Sequence, residues 1–196
     1  MTESRLHTAL RELCLELSKS RTEFALVGGL AVSARTQPRF TRDLDLAIAL
    51  RNDSEAEELV RSFRSRLYRI EALVEQEATG RLATVRLVPP SESGLFVDLL
   101  FASSGIEAEI VRAAEQLELI DGLNVPVAKV FHLIAMKVLS RDDNRRPQDR
   151  MDLAMLLNVA TESDLENVRG ALRLIVERGF NRQRNLLEDF NSLLHP

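Results

Sequence analysis

Residues 43–48 read DLDLAI, an apolar run into which two aspartates are set one residue apart. Aspartate is depleted in strands, and side chains at i and i+2 of a strand share one face. Asp43 and Asp45 therefore stand side by side on one surface, while Leu44 and Leu46 turn into a core. Two carboxylates this close repel and raise each other's pKa unless a cation neutralises them. Either that face is merely wet, or it holds something positively charged.

The residues upstream bear on that choice. FALVG reads as a strand running into a Gly28-Gly29 turn and then a short helix near LAVSAR, closed before Pro38 because the residue preceding a proline disfavours the helical region. Backbone N–H groups in such a turn, backed by the positive end of a helix, can approach phosphate oxygens. Asp98, in FVDLL, repeats the oddity of a single acid among apolar neighbours. If its strand lies beside the first, three carboxylates converge into a hard oxygen site suited to magnesium or manganese.

Elsewhere the periodicity sets out an organisation. Leu6, Leu10, Leu13, Cys14 and Leu17 recur at helical spacing over residues 3–19. Asn52 is placed to cap a helix over EAEELVRSFRSRLY, with acids early and arginines late. Residues 69–77 and 82–88 read as strands around a Gly80 turn, and LFVDLLFA as another, close enough in sequence for antiparallel pairing. Beyond Gly105, residues 106–120, 128–141, 151–160, 163–180 and 181–195 are all helical in period. The expected fold is α+β: a mixed β-sheet with flanking helices over residues 1–104, followed by a C-terminal helical bundle over 105–196.

Composition excludes several classes. No apolar run is long enough to span a bilayer, the N-terminus lacks a cationic start with an apolar block, and Cys14 is the only cysteine. These point to a cytoplasmic protein with no membrane partner, no intrachain disulfide and no cysteine zinc cage. A net charge of −4 argues against a general polyanion binder. With no tryptophan and one tyrosine, Tyr68, a base-stacking platform finds little support. Lys137, one of three lysines, lies on AKVFHLIAMKVLSR as either a solvated helix residue or a phosphate contact. Arg39 and Arg42 flank the approach to the two aspartates. Asp149 and Asp152 share a helix side, either to orient Lys137 or Arg141 or, for Asp149, as an ordinary acid at a helix start. His132 reads as a packed histidine.

The combination of V-G-G, then D-L-D-L, then F-V-D-L-L resembles the nucleotidyltransferase superfamily with the DNA polymerase β-like core. GGLAV followed by RFTRDLDL is similar to the abortive-infection nucleotidyltransferase toxins of type IV toxin–antitoxin systems, with a looser likeness over residues 135–153. The resemblance implies a Mg2+- or Mn2+-dependent enzyme that moves a nucleoside monophosphate from a nucleoside triphosphate to an acceptor hydroxyl and releases pyrophosphate. Asp43, Asp45 and Asp98 would be the catalytic, metal-binding acids, Asp98 also helping to deprotonate the acceptor. Gly28, Gly29, Arg39, Thr41 and Lys137 would serve the nucleotide, supported by Arg42, Asp149 and Asp152. Many members carry Gly-Ser where this chain has Gly28-Gly29, and Ser33, one helical turn on, is the stand-in for the missing hydroxyl. The acceptor implied is a tRNA or other RNA end, a protein or a small molecule, and the further partner a cognate antitoxin. Two alternatives stay open: a nucleotide- or antitoxin-binding module of the same fold without turnover, and an antibiotic-modifying transferase.

Overall fold

The computed structural model describes residues 5–76, 80–90, 94–142 and 147–194. Helix α1 (Arg5–Lys19) buries Leu10, Leu13, Cys14 and Leu17, the stripe that its period marks out. Strand β1 (Phe24–Val27) passes directly into α2 (Gly28–Arg35), and β2 (Asp43–Ile48) returns antiparallel to β1. In α3 (Asp53–Ser65) the Asn52 side chain accepts from the Glu55 N–H, the cap its position suggests. Strands β3 (Arg69–Glu75) and β4 (Leu82–Val88) pair antiparallel, as do β4 and β5 (Phe96–Leu100). Chain then turns through α4 (Glu107–Ala113) into β6 (Glu115–Ile120) and β7 (Leu123–Val127).

One seven-stranded mixed sheet results, in the order β3-β4-β5-β2-β1-β7-β6. Its centre combines parallel pairs, β2 with β5 and β7 with β1, with the antiparallel β1–β2 pair. Leu26, Val27, Leu44, Leu46, Val97 and Leu99 are fully buried between the sheet and its flanking helices. A C-terminal bundle follows: α5 (Val130–Ser140), α6 (Pro147–Val159), α7 (Glu162–Glu177) and α8 (Leu186–Leu194), with α5 packed against the other three. Arg184 Nη1 donates to the carbonyls of Val138, Leu139 and Arg141, closing the C-terminal end of α5. His132 is buried in this bundle, and burial pushes its pKa down to about 4. No helix among the described residues is long and apolar enough to cross a membrane.

One expectation is overturned. Residues 106–120 do not form a single helix: α4 ends at Ala113, and residues 115–127 make a β-hairpin that adds two strands to the sheet. The local signal is the two-residue Asp121-Gly122 connection, with Gly122 at φ 73°, a strong hairpin turn. The tertiary cause is β1, whose free side takes β7 in parallel at Leu26–Val127. Arg35 then ties the end of α2 to that seam, donating to the carbonyls of Val127 and Ala128 at 3.0 Å.

Candidate active site

Register alone gathers the unusual charges. On the parallel β2–β5 pair Asp45 lies directly opposite Asp98, and on the antiparallel β4–β5 pair Asp98 lies opposite Arg86. Asp45, Asp98 and Arg86 thus form a row across three adjacent strands. Asp43, two residues before Asp45, faces the same way. This row is the floor of a cavity of about 550 Å³ whose edge carries Gly28 and Gly29. Met136, Lys137, Ser140 and Asp149, from α5 and α6, form the opposite wall, and the segment Arg39–Arg42 forms the rim.

The carboxylates of the floor differ in their surroundings. Arg86 holds Asp98 in a fork, Nε donating to Oδ1 at 2.8 Å and Nη2 to Oδ2 at 2.6 Å. That pairing raises the Arg86 pKa further above its ordinary value. Asp45 has the opposite problem: burial, then the charges of Asp98 and Asp43, raise its pKa from 3.8 to about 7, against the lowering pull of Lys137 and Arg86. The closed three-carboxylate metal cage that the sequence suggests is not assembled among the described residues. Asp98 gives both oxygens to Arg86, and beside it in the cavity stands the Asp43–Asp45 pair on β2. The charge on that pair and its all-oxygen donors fit a hard divalent ion.

The two turn glycines meet different constraints. Gly28 has φ 65°, and a Cβ there would lie 1.9 Å from Asp45 Oδ2. The Asp45 carboxylate therefore rests against bare backbone at the strand-to-helix turn. A Cβ on Gly29 would meet Arg39 Nη2 at 2.6 Å and Thr41 Oγ1 at 3.1 Å. The space of a serine side chain at position 29 is already filled by the Arg39 guanidinium.

Arg39 is held there from the wall. Its Nη2 donates to Asp152 Oδ2 at 2.8 Å, and its Nε lies 2.7 Å from Oδ1. Lys137 Nζ lies 2.6 Å from Asp149 Oδ1 and 2.7 Å from Asp152 Oδ2, and Ser140 Oγ donates to Asp149 at 3.3 Å. Asp152 is fully buried and Asp149 nearly so. The two acids on α6 do orient Lys137, one of the roles their spacing allows. Thr41 Oγ1 lies 3.3 Å from both the N–H and the carbonyl of Asp43, fixing the start of β2.

Ser33 is the sequence-proposed residue that the structure does not bring to the cavity. Its hydroxyl donates to the Gly29 carbonyl at 3.1 Å and accepts from the Arg39 N–H at 3.2 Å, bracing the rim from behind. Sequence reasoning missed Arg86 and Phe40. Arg86 was legible as the lone charge in the alternating LATVRLV; Phe40, in RFTR, gave no signal beyond its neighbours.

Comparison with known proteins follows the same lines. The family described as nucleotidyl transferase AbiEii toxin, type IV toxin–antitoxin system, matches residues 8–195. No curated protein matches the chain. An antigenic nucleotidyltransferase-like protein from Paracoccidioides brasiliensis is 21% identical with a TM-score of 0.53, covering 94% of this chain and 91% of its own. The antibiotic-resistance factor ANT(2'')-Ia is 17% identical with a TM-score of 0.58, covering 87% of this chain and 92% of its own. The lincosamide antibiotic adenylyltransferase LnuA, in a lincomycin-bound structure, is 12% identical with a TM-score of 0.51, covering 77% and 96%. At these identities the structures share the fold.

Proposed function

We propose that this chain, which belongs to the nucleotidyl transferase AbiEii toxin family of type IV toxin–antitoxin systems, moves a nucleoside monophosphate from a nucleoside triphosphate to an acceptor hydroxyl. The observation that carries the reading is the placement of Asp43, Asp45 and Asp98 on one sheet face, beside the bare Gly28-Gly29 turn, in a single cavity. Asp43 and Asp45 are the residues that would hold Mg2+ or Mn2+. Bound there, the ion would neutralise phosphate charge and the oxygens of an in-line displacement.

The chain's own groups divide the remaining work. Backbone N–H groups of the glycine turn receive phosphate oxygens at the start of α2. Lys137 has three N–H donors, of which two meet Asp149 and Asp152, so the third is kept for the phosphate side of the cavity. Arg42 adds charge at the rim. The acceptor oxygen attacks the α-phosphorus, a new O–P bond forms as the α–β bridging P–O bond breaks, and that electron pair leaves with pyrophosphate. The acceptor proton passes to Asp98. Each of its oxygens gives one lone pair to Arg86 and keeps another, and the fork fixes the orientation of the carboxylate. We take an RNA 3′ end, tRNA first, as the acceptor, and a cognate antitoxin as the cellular partner.

The test is transfer of label from each of the four α-labelled triphosphates, with Mg2+ and total RNA, followed by identification of the labelled species. Label on RNA with wild type and none with Asp43→Ala is the expected result. No transfer from any donor to RNA, protein or small molecules, or equal transfer by Asp43→Ala, overturns it.

A further inference from the structure

Phe40 is out of place by every rule of burial. It is 79% exposed, the only one of the eight phenylalanines whose side chain stands in the open, while Phe63, Phe101, Phe180 and Phe190 lie in the core. An isolated exposed apolar residue needs no explanation, but this one lines the cavity that holds Asp43, Asp45 and the glycine turn.

Nor is it carried on a loose loop. Its own carbonyl accepts from Arg39 Nη1 at 3.2 Å, and Arg39 is in turn fastened to Asp152. On the other side Thr41 is tied to Asp43, and behind it Ser33 holds the Arg39 N–H. Arg39 and Thr41, on either side of Phe40, are thus each hydrogen-bonded to a neighbouring element, while the Phe40 ring stands in solvent. The Arg42 guanidinium carbon lies 5.4 Å from the ring centroid, within cation–π range.

We propose that Phe40, with Arg42 against its ring, is the stacking platform for the nucleobase of the incoming triphosphate. The proposal rests on the reaction proposed above and adds the subsite for the base. A flat π surface fits an aromatic ring whose edge bonds are not being read. The position follows from chain connectivity: Phe40 is three residues from Asp43, and the Arg39 that carries it packs over Gly29. A base joined through one ribose to a triphosphate at that turn has the rim within its reach. An acceptor base has no such tether to this side. Since every base presents a π face, stacking alone makes the subsite tolerant of base identity. Selectivity for one triphosphate is therefore not expected from Phe40.

The experiment is calorimetric binding of the full chain, in Mg2+, to each of the four nucleoside triphosphates and to inorganic tripolyphosphate, which has the charge but no base. Phe40→Ala is expected to weaken all four nucleotides about 10-fold, inside the range measured for removing one base–aromatic contact, and to leave tripolyphosphate unchanged. Phe40→Trp is expected to keep or tighten nucleotide binding. Because the ring is exposed, neither substitution disturbs the core, and unchanged thermal unfolding serves as the check. Unaltered nucleotide binding by Phe40→Ala overturns the proposal, as does an equal loss for tripolyphosphate. Failure of wild-type protein to bind any nucleotide or tripolyphosphate overturns the parent reaction instead, and the subsite with it.

Discussion

The two sides of the cavity use the same residue types to opposite effect. On the helical wall two carboxylates, Asp149 and Asp152, face two cations, Lys137 and Arg39, at 2.6–2.8 Å. On the sheet floor Arg86 forks onto Asp98, and Asp45 is buried beside that carboxylate with a charge of the same sign. The wall is complete as it stands. It fixes Lys137, pins Arg39 over Gly29 and so sets the rim, all without a ligand. At Asp45 burial, then the charges of Asp98 and Asp43, raise the pKa to about 7. Matched charges like those of the wall do structural work, whereas a buried carboxylate crowded by its own sign, as Asp45 is, would be relieved by an added cation.

That contrast can be broken from either side. The largest effect is expected on the floor: Asp45→Asn should lower nucleotidyl transfer by at least about 1,000-fold, roughly 4 kcal/mol of transition-state stabilisation. Folded stability should be kept, which single-turnover kinetics and thermal unfolding will separate. A variant that loses activity only because it unfolds would erase the distinction. On the wall the order reverses. Asp152→Ala leaves Lys137 and Arg39 partly buried without their shared anion, and urea unfolding should show a loss of about 3 kcal/mol. If it unfolds like wild type, the wall is not holding the site. The smallest effect sharpens the link between the two sides. Gly29→Ser would push against Arg39 Nη2 and loosen its hold on Asp152, costing about 1 kcal/mol of stability as a local overpacking. The double variant with Asp152→Ala should cost less than the sum, since the contact being strained is already gone.

Much of the floor was legible before any coordinates. The i, i+2 spacing put Asp43 and Asp45 on one face, and the acid in FVDLL marked its neighbour strand; register then set Asp45 opposite Asp98. What the spacing could not show is that Arg86, a third strand over, would hold Asp98, because cross-strand partners depend on sheet order rather than on sequence distance. The wall was half legible. Helical period set Asp149 and Asp152 on one side of their helix, with Lys137 or Arg141 as the cation to orient, yet Arg39 arrives at Asp152 from 113 residues away. The 115–127 hairpin was lost for a similar reason: EQLELI carries both periods, and β1 decides between them by offering an open edge. Ser33 lies outside the cavity lining, its hydroxyl bound to the Gly29 carbonyl and the Arg39 N–H.

The central claim, that Asp45 is crowded by carboxylate charge which a cation would relieve, is tested most directly by the stability of wild type and Asp45→Asn across pH, with and without Mg2+. An acid whose pKa is raised on folding, here from 3.8 to about 7, costs stability as pH climbs between those values and no more above them. His132, with its pKa pushed down to about 4, loses stability on acidification below about 6.5 in both proteins, and cancels in the difference. Without Mg2+ the asparagine variant should therefore be the more stable protein, by a margin that grows from about pH 4 to 7 and then levels. Mg2+ should close the gap by stabilising wild type alone. Equal stability at every pH, with neither protein responding to Mg2+, would contradict the claim.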